Sequence, residues 1–192
     1  MTDPLHLLHE WYERAVVTGV AEPEAMALAT STPDGAPSVR FVLLKGIDER
    51  GVSFFTNYDS RKGRELAANP RAALAVLWKP LDRQVRLEGP VERLSAEESD
   101  AYFGSRGRGS RLGAWASKQG TPIPDRATLD AAFAEAAERY PGEEVPRPGY
   151  WGGYRLVPDA IELWQGRANR LLDREHFLLE PDGTWRSERL SP

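Results

Sequence analysis

The sequence predicts an antiparallel β-barrel with peripheral helices, an α+β fold that is mainly β. About seven or eight strand-like segments follow one another, and most of them are joined by hairpin turns. Helical segments are inserted among the strands, without the regular strand–helix alternation of a doubly wound parallel sheet. The length of 192 residues fits one domain, so we expect a single domain over residues 1–192.

The first half of the chain carries most of the predicted barrel. Apolar residues at helical spacing predict an N-terminal helix over 4–18. Asp59-Ser60 is typical of an N-cap for a short helix over 61–68. The segment 46–51 is expected to close a hairpin, and Gly89-Pro90 to form a bulge or bend. Dense or alternating apolar runs predict strands at 26–30, 39–45, 52–56, 72–78 and 84–94.

The second half adds helices before the sheet is completed. Ser95 and Glu98 form the pattern of a capping box, which predicts a helix to about Phe103. A Gly- and Arg-rich stretch follows, and then an Ala-rich helix over 129–140, so the inserted helices lie around 96–140. Closing strands are expected at 154–156, 160–165, 171–179 and 185–190.

Composition excludes several kinds of chemistry. Because cysteine is absent, disulfides, thiol nucleophiles and cysteine-ligated metals are excluded. His6 and His9 are interpreted as surface residues of a helix, and no metal site is expected. The net charge of −4 does not favour nucleic acid. We find neither a membrane-length apolar run nor a secretory signal, so we expect a cytoplasmic protein without a membrane partner.

The start of the predicted helix at residue 61 has the features of an anion site. Ser60-Arg61-Lys62 combines free backbone N–H groups, the positive end of the helix dipole and two cations. Cations at a helix N-terminus are mildly unfavourable for the helix itself, which favours a functional interpretation over a solvated first turn. We therefore predict that this segment binds a phosphate.

Three further segments are candidates whose interpretation stays open. Arg40 to Lys45 is an apolar strand with a charge at each end, which is more typical of an ordinary strand than of a site. Tyr102, Arg106 and Ser110 share one helix face, and can donate to one phosphate, if the helix continues through the intervening glycines. Three arginines follow Trp164 at a strand end, which packing alone does not explain. Together the candidates suggest two phosphorylated ligands.

Several stretches of the sequence also carry a resemblance to a known family. They are Arg40 to Lys45, Thr56 with Ser60-Arg61-Lys62, Arg83-Gln84-Val85, Tyr102-Phe103 to Arg106, Gly113 to Gln119, Trp151 to Tyr154, and Trp164-Gln165-Gly166. Through them the chain resembles pyridoxine (pyridoxamine) 5′-phosphate oxidase, an FMN-dependent enzyme family, over nearly its whole length. The resemblance implies an antiparallel FMN-binding split β-barrel and a homodimer with FMN at the interface.

The resemblance also implies roles for individual residues. Those expected to hold FMN are Arg40, Phe41, Val42, Leu43, Leu44, Lys45, Phe55, Thr56, Arg61, Lys62, Gln84, Gln119, Gly120, Trp164 and Arg174. Those expected to contact a phosphorylated small-molecule substrate are Lys45, Tyr102, Arg106, Ser110, Arg170 and Leu172. Arg170 would lie over the substrate ring as the catalytic residue. The implied reaction converts pyridoxine 5′-phosphate or pyridoxamine 5′-phosphate to pyridoxal 5′-phosphate, with O2 as acceptor and H2O2 as product.

Two departures from the family pattern concern the substrate. Leu172 stands where the family has a substrate-contacting histidine, and the loss of one such contact costs about 1–3 kcal/mol. Because Asp3-Pro4-Leu5 already matches a region close to the barrel, we expect the family's N-terminal arm over the substrate to be missing. Two alternatives follow: a paralogous FMN-dependent oxidase of a dihydro-heterocyclic, phosphorylated substrate, or a flavin-binding protein without turnover. Tyr102, Arg106 and Ser110, which are expected to bind the substrate phosphate, argue against the first alternative.

Overall fold

A computed structural model describes residues 3–192, which form five α-helices and ten β-strands. The helices are α1 (Pro4–Val17), α2 (Arg61–Ala68), α3 (Ala96–Ser105), α4 (Arg108–Ala116) and α5 (Arg126–Arg139). The strands are β1 (Ala25–Ser31), β2 (Pro37–Leu43), β3 (Gly46–Asp48), β4 (Gly51–Asn57), β5 (Arg71–Trp78), β6 (Arg83–Arg93), β7 (Trp151–Leu156), β8 (Ala160–Gln165), β9 (Asp173–Leu179) and β10 (Trp185–Arg189). In this part of the chain no helix is long and apolar enough to cross a membrane.

The strands of residues 3–192 form one curled sheet in which neighbouring strands are antiparallel, as predicted. The main path runs β10-β9-β8-β6-β5-β1-β2, and β4 is attached through β7, which pairs with β6. The predicted barrel-like sheet with peripheral helices is confirmed. It has more strands than predicted, because Gly46–Asp48, interpreted as part of a hairpin loop, forms β3 and pairs with β4.

Strand β6 belongs to both halves of the sheet. Its first part pairs with β5 and β8, and from Val91 onward it pairs with β7. The change of partner follows directly after Gly89-Pro90, where a bulge or bend is predicted, and the strand continues through this point. A Cβ on Gly89 would lie 2.2 Å from the carbonyl oxygen of Val157, so only glycine allows the two backbones to approach this closely.

The core consists of two hydrophobic clusters. The larger cluster fills the inside of the curled sheet and includes the buried residues Leu28, Phe54 and Leu156. The smaller cluster lies around α3, α4 and α5, and includes Phe103 and Trp151. Strand β7 contributes side chains to both clusters, so the helices are packed onto the sheet through this strand. The single domain over residues 1–192 remains a prediction.

The outer face of the sheet exposes a row of large apolar side chains. Phe41 is 75% exposed and Val39 is 69% exposed, both on β2, the last strand of the sheet path. Leu43 on the same strand and Leu77 on β5 are also exposed. Apolar side chains grouped in this way are typical of a surface that binds another protein chain.

Two predicted N-caps are confirmed. Ser60 Oγ accepts a hydrogen bond from Gly63 N at 3.3 Å, and α2 begins at Arg61, directly after Ser60, as expected. Ser95 Oγ accepts a hydrogen bond from Glu98 N at 3.1 Å, and Glu98 Oε2 accepts one from Ser95 N at 2.9 Å. Each cap satisfies backbone N–H groups that the first turn of a helix leaves free.

The stretch between α3 and α4 answers a question that the sequence leaves open. Arg106 adopts extended backbone with φ −74° and ψ 145°, and α4 begins after it as a separate helix. Tyr102, Arg106 and Ser110 therefore do not share one helix face, because Ser110 lies in the first turn of the second helix. The glycines of this stretch interrupt the helix once and then allow it to restart.

We expect Gly89→Ala to lower the free energy of unfolding by about 2 kcal/mol or more, because its Cβ would overlap the Val157 carbonyl. Gly104→Ala is the control, since a Cβ at that helical position meets nothing within 4 Å. The control is expected to stabilise the chain by up to about 1 kcal/mol. Urea denaturation of both variants measures the difference, and equal stabilities would contradict the prediction.

Candidate active site

The N-terminus of α2 holds a buried amino group. Lys62 is 7% exposed, and its Nζ donates to Thr56 Oγ1 at 3.1 Å and to Ser60 Oγ at 3.4 Å. These partners are hydroxyl groups, which leave the positive charge without a counter-ion. Burial, together with the nearby Arg40, lowers the pKa of Lys62 to about 8. A cation held at the positive end of a helix is complementary to a phosphate.

The loop that follows α4 reaches the same point. Gln119 Oε1 accepts from Thr56 Oγ1 at 3.2 Å and from Asn57 N at 3.4 Å. Gly120 adopts φ +85°, and a Cβ on it would lie 4.0 Å from Arg61 N. The structure therefore brings together several predicted cofactor residues, which we call the α2 cluster: Thr56, Arg61, Lys62, Gln119 and Gly120.

A buried carboxylate connects the arginines at this cluster. Glu65 is 5% exposed and accepts from Arg61 Nε at 2.8 Å and from Arg40 Nη2 at 3.2 Å. Thr30 and Ser38 donate their hydroxyls to the same carboxylate. Burial alone would raise the pKa of Glu65, but these hydrogen bonds bring it down to about 2. Both terminal nitrogens of Arg40 are engaged within the protein, so only its Nε is free.

Strand β2 places its predicted cofactor residues on two faces. Val42 and Leu44 point into the core, whereas Phe41 and Leu43 are exposed. The alternation is as predicted. The side chains of Val42 and Leu44 pack in the core, which leaves their backbone for any contact with a ligand. Because β2 ends the sheet path, backbone groups on its outer edge have no strand partner among residues 3–192.

Lys45 lies apart from the other predicted substrate residues. It borders a groove of about 580 Å³ together with His9, Tyr12 and Glu24, on the side of the sheet covered by α1. Its backbone N–H donates to Ser53 O at 2.9 Å. The structure therefore does not bring the side chain of Lys45 together with the substrate candidates on α3.

An aromatic cluster carries two of the substrate candidates. Phe55 stacks on Tyr102 with ring centroids 3.9 Å apart and on Trp151 at 5.7 Å. The guanidinium carbon of Arg106 lies 4.6 Å from the centroid of the Trp151 ring. Arg106 Nη1 is buried without a hydrogen-bond partner in residues 3–192, and burial lowers the pKa of Arg106. Ser110 is exposed in the first turn of α4. A buried donor without an acceptor is costly, so Arg106 is suited to an anionic ligand.

The remaining candidates form a third group, which we call the β8 row. Gln84, Trp164 and Arg174 lie side by side in direct register on β6, β8 and β9. Arg170 and Leu172 border a cavity of about 500 Å³ together with Trp164. The structure therefore brings together five predicted residues on this half of the sheet.

The backbone that carries Arg170 is strained. Asn169 and Arg170 adopt φ values of 58° and 60°, a left-handed conformation that side chains other than glycine and asparagine rarely accept. The two residues lie in a short 3-10 turn between β8 and β9. Strain of this kind is maintained where the surrounding structure enforces it and is concentrated at functional sites. Its position beside the cavity agrees with a functional role for Arg170.

The three groups lie in two places. The α2 cluster and the aromatic cluster are linked along the chain by consecutive residues of β4, Thr56 and Phe55, whose side chains point to opposite faces of the strand. Within residues 3–192, no hydrogen bond, ion pair or aromatic contact joins the β8 row to either of them. Sequence reasoning missed Glu65 and Trp151 as site residues. The signal for Glu65 is its position four residues after Arg61, which places both side chains on one helix face.

Two family models match this chain. One, described as pyridoxamine 5′-phosphate oxidase, matches residues 12–140, and the other, described as the pyridoxine 5′-phosphate oxidase C-terminal dimerisation region, matches residues 151–192. The chain belongs to the pyridoxine/pyridoxamine 5′-phosphate oxidase family. This family consists of FMN-dependent oxidoreductases, so the predicted resemblance and the predicted class of enzyme are confirmed. The family's dimerisation region includes most of the β8 row.

Curated relatives cover almost the whole chain. The pyridoxine/pyridoxamine 5′-phosphate oxidase of Cupriavidus necator is 56% identical over 190 residues, which are 99% of this chain and 89% of the relative. That of Rubrobacter xylanophilus is 56% identical over 99% of this chain and 87% of its own length.

Two solved structures share the fold. PhzG from Burkholderia lata, in complex with tetrahydrophenazine-1-carboxylic acid, is 35% identical with a TM-score of 0.94 and covers 100% of this chain and 94% of its own. A pyridoxamine 5′-phosphate oxidase-related, FMN binding protein from Nostoc punctiforme has a TM-score of 0.79 at 17% identity, covers 100% of both chains and supports the fold alone. The predicted split-barrel fold is confirmed by these similarities.

The buried carboxylate of Glu65 predicts a pH-dependent stability. Because its pKa falls from the ordinary 4.5 to about 2 on folding, Glu65 stabilises the fold above pH 4.5 and loses this contribution as the pH falls toward 2. Glu65→Gln is therefore expected to lower the free energy of unfolding at about pH 6. At about pH 3 its free energy of unfolding should differ from that of wild type by about 2 kcal/mol less than at about pH 6. Urea denaturation at the two pH values measures it. A Glu138→Gln control, at an exposed helical position, should retain the wild-type pH dependence, and a Glu65→Gln difference that is independent of pH would contradict the prediction.

Proposed function

We propose that this chain is an FMN-dependent oxidase that converts pyridoxine 5′-phosphate or pyridoxamine 5′-phosphate to pyridoxal 5′-phosphate, with O2 as acceptor and H2O2 as product. The observation that carries the proposal is the buried, unpartnered Nη1 of Arg106 near Tyr102. A guanidinium and a phenol together suit the phosphate of a substrate. The curated relatives are named for two such phosphorylated substrates.

The α2 cluster supports FMN as the cofactor. Lys62 Nζ, without a carboxylate partner, and the N-terminal N–H groups of α2 suit the phosphate of FMN. Arg61 uses Nε on Glu65 and is 63% exposed, so its terminal nitrogens are open to the same phosphate. We assign the cofactor to the residues that the sequence predicts, with backbone contacts alone at Val42 and Leu44.

In this proposal FMN, when bound by the α2 cluster and the β8 row, would supply the redox chemistry as acceptor of a hydride and donor of electrons to O2. The alcohol substrate loses two hydrogens to become the aldehyde; the amine substrate also takes up water and releases ammonia. The protein residues bind and orient. Tyr102 and Arg106 fix the phosphate, and Arg170 lies over the substrate ring, so that C4′ is held against the cofactor. Positioning of this kind supplies a large part of enzymatic rate acceleration.

We further propose a homodimer with FMN at the interface and a cytoplasmic location. Within residues 3–192 no hydrogen bond, ion pair or aromatic contact joins the β8 row to the α2 cluster, and a second copy is the simplest source of a complete set of cofactor residues. Part of the family's dimerisation region forms this row. The exposed apolar side chains of β2, Phe41 and Val39, supply a surface that a second copy would cover.

One observation favours a different substrate. Leu172 is half-buried at the cavity of Trp164 and Arg170 and offers no hydrogen bond to a pyridine ring. PhzG, with its TM-score of 0.94, was solved with a tetrahydrophenazine carboxylic acid. The alternative is therefore an oxidase of another reduced heterocycle. Flavin reduction by each candidate substrate without O2 separates this alternative from the main proposal, and also from a flavin-binding protein without turnover.

The test is aerobic turnover of pyridoxine 5′-phosphate and pyridoxamine 5′-phosphate, the two B6 substrates, by the FMN-loaded protein. Pyridoxal 5′-phosphate and H2O2 are measured together. We expect equal amounts of the two products. Arg106→Gln should lower kcat/KM for the phosphorylated substrates by about 30-fold or more, because a buried charged hydrogen bond is lost, while the Kd for FMN stays unchanged.

Arg108→Gln is the matched control for this experiment. Arg108 lies two residues further on and donates to the carbonyl oxygens of Tyr140 and Gly142, away from the proposed site. We expect its kcat/KM to stay close to wild type. Bound flavin that neither B6 substrate reduces would reject the proposed function, and equal losses in the two variants would reject the role of Arg106.

The lowered pKa of Lys62 predicts how FMN binding depends on pH. Only the protonated amine attracts phosphate, so the affinity for FMN should fall by up to about tenfold per pH unit above pH 8, where Lys62 loses its proton. Fluorescence titrations from about pH 7 to 9.5 measure the Kd. Riboflavin, which lacks the phosphate, and the variant Lys62→Met should both show a flat profile in this range. A parallel fall for riboflavin would contradict the prediction.

A further inference from the structure

Two glutamates are the only buried carboxylates in residues 3–192: Glu65 on α2 and Glu162 on β8. Glu162 is 4% exposed and lies on the outer face of the sheet, on the same side of β8 as Trp164. One glutamate therefore lies at the α2 cluster and the other at the β8 row, the two places that carry the proposed cofactor residues.

The two glutamates bind arginines with the same geometry. Glu65 Oε1 accepts from Arg61 Nε at 2.8 Å, and Glu162 Oε1 accepts from Arg174 Nε at 2.7 Å. The second oxygen of each glutamate lies 3.2 Å from a terminal nitrogen of a further arginine. These further arginines are Arg40 and Arg86.

Binding through Nε determines where the rest of the guanidinium points. A carboxylate on Nε leaves the far end of the guanidinium, which carries N–H groups of both terminal nitrogens, directed toward whatever lies beyond the arginine. Among residues 3–192, neither terminal nitrogen of Arg61 has a hydrogen-bond partner. In Arg174, Nη1 donates to Ser191 O at 2.9 Å, and Nη2 has no partner in the same part of the chain. Each glutamate thus holds an arginine in one orientation before a ligand arrives.

Stability alone does not account for these two carboxylates. Removing a charge from water is costly, and buried ion pairs often stabilise a fold no better than apolar residues would. Ion pairs elsewhere in residues 3–192 have exposed carboxylates, as in Arg186 with Glu188, even where the arginine itself is buried, as in Arg155 with Asp48. A benefit in ligand binding is a sufficient reason, because an arginine that is already oriented loses less conformational freedom on binding.

We propose that Glu65 and Glu162 are positioning residues for FMN, which act through Arg61 and Arg174. Arg40 and Arg86 balance the charge of the two carboxylates from the other side. The inference rests on the proposed function, because it takes FMN to be the ligand of these arginines. It adds Glu162 and Arg86 to the site, two residues that no sequence motif indicated.

The test is the Kd for FMN, measured by flavin fluorescence with the full chain. Glu162→Gln should weaken binding by about tenfold or more, because an amide has one oxygen for two guanidinium groups. Glu65→Gln should have a smaller effect, since the hydroxyls of Thr30 and Ser38 can turn to accept the amide N–H groups. Glu188→Gln is the matched control, an exposed carboxylate in contact with Arg186, and should leave the Kd within about twofold.

A double-mutant cycle separates positioning from a general loss of structure. If Glu162 acts through Arg174, Glu162→Gln should not weaken FMN binding further in an Arg174→Ala background. Glu162→Asp covers the case in which the glutamine variant does not fold. It retains the charge but withdraws the carboxylate from Nε, and should also weaken binding.

The outcomes are distinct from those of the proposed function. The positioning role is overturned if Glu162→Gln leaves the Kd for FMN unchanged, or if it weakens FMN binding equally with and without Arg174. In both cases FMN binding and turnover by the wild-type chain, and so the proposed function, are unaffected. A wild-type chain that does not bind FMN overturns the proposed function and this inference together. The inference is supported if Glu162→Gln weakens FMN binding only while Arg174 is present, and if the control variant keeps the wild-type Kd.

Discussion

Strand β6 forms hydrogen bonds to three other strands, and the rest of the structure depends on this pairing. Its first part lies between β5 and β8, and its last residues pair with β7, so in residues 3–192 strand pairing connects the two parts of the sheet through β6. The β8 row lies on one part, and Phe55 and Thr56 lie on the other. The backbone at Gly89 therefore sets how the two groups of site residues face relative to each other.

The candidate site consists of cations that the protein satisfies only in part. The amino group of Lys62 has hydroxyl partners, and Arg106 Nη1 has none in residues 3–192. Although the chain carries a net charge of −4, most of its acidic side chains in residues 3–192 are exposed. The two buried carboxylates, Glu65 and Glu162, contact arginines rather than the lysine. A ligand with phosphate groups supplies the acceptors that the protein leaves out.

Local signals in the sequence were reliable wherever one residue determines the backbone. The N-cap at Ser60, the capping box at Ser95 and the alternation along β2 are local, and the structure confirms each of them. The glycines between α3 and α4 were ambiguous, because glycine permits both a helix and its interruption. Strand β3 was missed because three residues are too few to show a period, and pairing with β4 decides its conformation.

The sequence indicates individual candidate residues of the site, but it does not indicate how their side chains are positioned relative to one another. Resemblance to a family indicates which residues matter, and the register of β6, β8 and β9 places Gln84, Trp164 and Arg174 in line. Sequence alone gives no information about Glu162, because an isolated glutamate in a strand looks like an exposed residue. Only the packed sheet reveals that Arg86 and Arg174 enclose it.

The left-handed backbone at Asn169 and Arg170 has a consequence for how such a pocket changes during evolution. At position 170 the backbone adopts a left-handed conformation that every residue except glycine and asparagine accepts only rarely, and β-branched residues least of all. Leu172 lies beyond the turn, where the backbone is ordinary, and still borders the same cavity. Selection can therefore alter the shape and polarity of the pocket at position 172 without disturbing the turn that presents Arg170. The resemblance implies a histidine at position 172, and a leucine there is a difference of the kind that this division of constraints permits.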